Sequence, residues 1–131
     1  MTKFIHHLEL DVSFEKAVEQ VKLALADQGF GVLTETDLQQ TFHDKLGIDT
    51  APQVILGACN PRLAHRALEI DPRVAVLLPC NVVVRDHHGH TVVDAFEPAV
   101  MATLTENSEL AAVADEASEL IREALDKLAD R

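Results

Sequence analysis

Tryptophan and tyrosine are absent from this 131-residue chain, and its five aromatic residues are all phenylalanine. Stacking platforms for nucleotide bases are therefore scarce, and the core must be packed from Val, Leu, Ile and Ala, within a hydrophobic fraction of 47%. Positive charge is also in short supply: 11 Lys and Arg face 22 Asp and Glu, a formal net charge of −11. A field of that sign repels phosphate backbones and anionic headgroups, which argues against nucleic acid and membrane surfaces as partners. Two cysteines cannot make a disulfide framework. No run approaches 18 apolar residues, and Met1-Thr2-Lys3-Phe4-Ile5-His6-His7 lacks the apolar core of a signal peptide, so a cytoplasmic location is expected. No Gly-x-Gly-x-x-Gly, Gly-Lys-Ser/Thr or Gly-x-Ser-x-Gly pattern occurs, so no cofactor is implied and catalysis by those motifs is unsupported.

What is present reads as one α+β domain spanning 1–131. Thr2 to Leu10 has the parity of a strand. Ser13 suits an N-cap for a helix carrying Phe14, Ala17, Val18, Val21 and Leu25, with Val12 and Ala17 as a hydrophobic staple and Gly29 as its stop. Phe30 to Glu35 predicts a second strand, and Asp37 with Gln40 a capping box for a short helix ending at Gly47. Gln53 to Leu56 predicts a third strand. Asn60-Pro61 is the cap and first-turn pair of a helix ending near Asp71-Pro72. Val74 to Arg85 predicts a buried strand with a bulge or a change of partner at Pro79, turning at Asp86-His87-His88-Gly89 into a return strand, Thr91 to Phe96. A short turn or helix around Ala99 to Met101 precedes a long amphipathic helix from about Asn107, carrying Leu110, Val113, Ala117, Leu120, Ala124 and Leu128.

Three blocks carry a resemblance: Gly29-Phe30-Gly31-Val32-Leu33-Thr34-Glu35, then Ile55-Leu56-Gly57-Ala58-Cys59-Asn60-Pro61, then Leu77-Leu78-Pro79-Cys80-Asn81-Val82-Val83-Val84. In this order they resemble the bacterial and archaeal family called domain of unknown function 302. The resemblance implies an α+β fold similar to the TATA-box-binding-protein-like class, a curved antiparallel sheet covered by helices, often as a homodimer. It implies little about function. His87-His88-Gly89-His90 departs from the acidic or Lys-containing turns expected of the family, so any role for those histidines is local to this chain.

The candidate chemistry centres on the two Cys-Asn pairs. Cys59 directly precedes a helix cap, where backbone N–H groups would favour thiolate, and Arg62 could add to that effect. Cys80 could turn toward it at the expected bulge, giving a redox pair, although free cysteines more often pack as small hydrophobes. Asn60 is explained by capping, whereas Asn81, inside an apolar strand, must find partners among backbone groups or a ligand. Cys59, Asn60, Cys80 and Asn81 are thus the candidate ligand-binding set, with Cys59 and Cys80 the catalytic candidates. His87, His88 and His90 could capture a transition metal, against the plainer reading of an exposed loop. His6 and His7 fall on opposite faces of a strand, His43 and His65 lie on helices without evident partners, and Glu35 is a spare carboxylate. The expectation is a non-catalytic ligand- or protein-binding homodimer. The rivals are a thiol-based redox enzyme or sensor and a metal binder.

Overall fold

The computed structural model describes residues 3–130. The first strand, β1 (Ile5–Leu10), is shorter than the predicted Thr2–Leu10, and Thr2 lies outside the described residues. Helix α1 (Phe14–Asp27) opens on Ser13, whose side chain accepts from Lys16 N–H, and turns out through Gly29 at φ +85°, where a side chain would be strained. Strand β2 (Gly31–Asp37) hands over to α2 (Leu38–Leu46) at Asp37, which caps by accepting from Gln40 N–H. Strand β3 (Gln53–Cys59) runs three residues past the predicted Leu56, so Cys59 ends a strand and Asn60 follows at once as the cap of α3 (Pro61–Ile70).

The predicted long strand from Val74 is incorrect at its start. Pro72–Leu77 is a 3₁₀ turn, and β4 (Cys80–His87) begins only after Pro79. The reason is local: Asp71 accepts from Arg73 N–H, Pro72 occupies the first turn, and Val74 is buried while Val76 is 87% exposed. An apolar run has no period to separate strand from turn, and the capping carboxylate decided it. Among the pairings, the bulge falls in β2 between Val32 and Thr34. Strand β5 (His90–Phe96) returns through a two-residue turn with His88 at φ +52° and Gly89 at φ +84°, the type I′ geometry that matches strand twist. Helix α4 (Val100–Thr105) is short. A 3₁₀ turn at Ser108–Leu110 then leads into α5 (Ala111–Ala129), so the long helix starts four residues after Asn107, which caps the turn instead.

The five strands form one antiparallel sheet ordered β1-β5-β4-β3-β2. Its inner face, Leu56, Ala58, Val82, Val84, Val93 and Ala95, packs on Ala17, Val21, Ala24 and Leu25 of α1 and Ile121, Ala124, Leu125 and Leu128 of α5. A second cluster joins Leu63 and Ala67 of α3, Val74, Met101 of α4, Leu110 of the 3₁₀ turn and the start of α5 through Val113, Ala114 and Ala117. The α+β fold is therefore as expected, with the apolar stripe of α5 serving both clusters. No helix among the described residues is long and apolar enough to cross a membrane.

Candidate functional site

Cys59 and Cys80 line one cavity, together with Phe30, Asn60, Leu63 and Met101. Strand pairing explains the approach: Ala58 of β3 faces Cys80 of β4, which leaves Cys59 one residue further along. The cavity holds about 30 Å³, enough for a water molecule and far below the several hundred Å³ of ordinary ligand pockets.

Burial favours the neutral form of both thiols. Burial pushes the Cys59 thiol up from 9.0, and burial together with the nearby Cys59 pushes Cys80 up to about 11. Desolvation outweighs the helix start at Cys59, and one of the first-turn N–H groups is already taken: Leu63 N–H donates to Asn60 Oδ1 at 3.3 Å. Arg62 does not assist either. Its guanidinium donates to Glu116 at 2.7 Å, as Arg66 does at 3.0 Å, and both hold the Glu116 carboxyl below its usual range. Both cysteines are free thiols.

Asn60 has a second task. Its Nδ2 donates to the Gln28 carbonyl at 3.3 Å, tying the end of α1 to the start of α3. Gly29 is pressed against this amide, since a Cβ there would come within 3.1 Å of Nδ2. Asn81 does not join this group. It alternates with the inner-facing Cys80 and Val82, is exposed, and borders a shallow groove with Pro79, Leu77 and Phe96 on the other face of the sheet. The four-residue ligand set is thus divided, with Cys59, Asn60 and Cys80 together and Asn81 apart.

The three histidines of the turn are likewise not gathered. His87 and His90 are cross-strand partners, and His87 and His88 bring their rings to 4.4 Å. Among the described residues, no three His, Cys, Asp or Glu side chains are arranged to hold a metal ion. His6 and His7 do point to opposite faces: His7 Nδ1 meets Asp94 Oδ1 at 2.6 Å, and His6 meets Glu97. His43 pairs with Asp49 and His65 with Glu69, both on the surface. The pairing of His6 with Glu97 was not readable from the sequence, because the two lie 91 positions apart and meet only through the β1–β5 ladder.

The geometry can be set beside known proteins. Among curated proteins, none matches the chain. A crystal structure of an uncharacterized conserved protein, DUF302, from Bacillus stearothermophilus has the same fold at a TM-score of 0.90 and 26% identity, over 97% of this chain and 99% of that one. The family model described as domain of unknown function DUF302 matches residues 6–128, which takes in every strand except the first residue of β1 and all five helices but the last residue of α5. The chain belongs to the domain of unknown function DUF302 family.

Proposed function

We propose that this is a cytoplasmic, non-catalytic binding protein that works as a homodimer, two copies meeting through the outer face of the sheet. The carrying observation is the character of that face, opposite the one that α1 and α5 cover. Its middle row runs His7, Asp94, Val83, Ile55 and Thr36, and the row beside it runs Ile5, Phe96, Asn81, Gly57 and Thr34. The charges there are balanced: Asp94 receives both His7 and, at 3.5 Å, Arg85. In a chain of net charge −11 this is a near-neutral, partly apolar surface, where a second copy meets the least repulsion. Five strands at ~4.8 Å and six residues at ~3.3 Å make it roughly 24 by 20 Å, about 480 Å² against the ~800 Å² per partner of a standard interface, which fits a small dimer contact.

The thiol reading draws less support, since burial holds both cysteines toward the neutral form and the cavity they line holds about 30 Å³. Sedimentation velocity across a concentration series tests the proposal: the expected mass is twice 14.4 kDa, and Val83→Arg returns it to the monomer without loss of helical circular dichroism. A wild-type chain that stays monomeric, or a Val83→Arg variant that still dimerises, removes this reading.

A further inference from the structure

A wider opening than the cysteine cavity lies beside the edge strand β1. It is a cleft of about 400 Å³, within the range of small-molecule sites, between the start of β1, the connection from β5 to α4, and the middle of α5. At its side His6 Nε2 and Glu97 Oε2 face each other, buried and with no further partner among the described residues, while Ser118 Oγ donates to Glu97 Oε1 at 2.6 Å. The carboxylate, not the imidazole, is the middle member of this trio. The Ser118 hydroxyl therefore faces a carboxylate and not the imidazole, so the order is not the serine–histidine–acid order of a serine nucleophile.

Both Glu97 oxygens are engaged inside the trio, one meeting the histidine and the other the serine. Two cations remain on the rim, Lys3 and Arg122. Arg122 touches Glu119 one turn away on the exposed side of α5, a surface pair that gives way readily. Apolar wall is supplied by Ala99 and Val100. A concave site with two rim cations, one carboxylate engaged by its own neighbours and an apolar side is unusual in a chain with twice as many acidic as basic residues.

We propose that this cleft binds a small organic monocarboxylate, its head between Lys3 and Arg122 and its hydrocarbon part against Val100. A single negative charge fits better than a dianion such as phosphate, because Glu97 still opposes a second charge close by.

The test is titration of the full-length protein with butyrate and, separately, inorganic phosphate at constant ionic strength, followed by amide chemical shifts. Saturable butyrate shifts confined to β1, the β5–α4 connection and the middle of α5 are expected. Lys3→Gln and Arg122→Gln, both at exposed positions that the fold does not need, each weaken binding by about three- to fivefold. Glu97→Gln, which removes the opposing charge at constant size, strengthens it. Absence of saturable butyrate shifts, a preference for phosphate, or indifference to both cation substitutions overturns the proposal. The readout is local and does not depend on whether the protein dimerises, so the two proposals fail separately.

Discussion

At the scale of single residues, burial sets the chemistry of Cys80. The folded chain holds its proton up to about 11, whereas an unfolded thiol releases it near 9.0. The folded state therefore binds more protons between those values, and stability falls as pH rises through that window. Denaturant melts from pH 8 to 11 are expected to show this decline, and Cys80→Ala is expected to flatten it relative to wild type, whatever its cost at pH 8. Gly57 illustrates a different constraint. A Cβ there would lie 2.1 Å from Thr34 Oγ1 and 2.9 Å from Pro79 Cγ. Thr34 can turn aside and the Pro79 ring cannot, so Gly57→Ala is expected to cost about 1–3 kcal/mol, with only part recovered by adding Thr34→Ala. Thermal unfolding of the single and double variants measures both. Nothing in the sequence pointed to Gly57 as crowded, since both neighbours come from other strands or their approaches.

At the scale of elements, two capping side chains reach beyond their own helices. Asn60 holds the first turn of α3 through Leu63 N–H and holds the end of α1 through the Gln28 carbonyl. Asn60→Asp keeps the first bond and loses the second, while Asn60→Ala loses both. The alanine variant is expected to lose about 1–2 kcal/mol and the aspartate variant less, as read from denaturation midpoints. Asp71 caps the 3₁₀ turn that replaced the expected strand, and it also accepts from Asn107 Nδ2 at 3.2 Å, joining that turn to the entry of α5. The Arg73 guanidinium, bonded to both its oxygens, holds its carboxyl well below the usual carboxylate range. The stability this supplies is complete above the unfolded pKa of about 3.9 and is lost as pH falls below it. Asp71→Asn is expected to destabilise the protein at pH 7 and to narrow its gap from wild type as pH drops toward 2, which thermal melts across that range check. Asn60 and the stops at Gly29 and Gly47 were legible because capping is a matter of neighbours in sequence. The turn at Pro72–Leu77 was not, because Val74 and Leu77 look the same in a strand and in a turn until burial distinguishes them.

At the scale of the whole molecule, charge governs association. Two copies that each carry −11 repel, and salt screens that repulsion over about 8–10 Å at ordinary ionic strength. The proposed dimer is therefore expected to tighten as sodium chloride is raised. The opposite trend in sedimentation equilibrium would mean that ion pairs, not the apolar rows around Val83 and Ile55, hold the contact.

The sequence by itself determined the α+β class, four of the five helices in outline, the β4–β5 hairpin and the caps at Ser13, Asp37 and Asn60. Each rests on spacing within about one or two turns of chain, where period and capping chemistry act. It left open whether Cys59 and Cys80 converge, which the pairing of β3 with β4 decided. Only the tertiary structure decided that their thiols are held neutral, that Asn81 belongs to the opposite face, that Arg62 serves Glu116, and that His6, Glu97 and Ser118 meet beside an open cleft. These depend on which strands pair and on how much water each group loses, quantities fixed by contacts between distant parts of the chain.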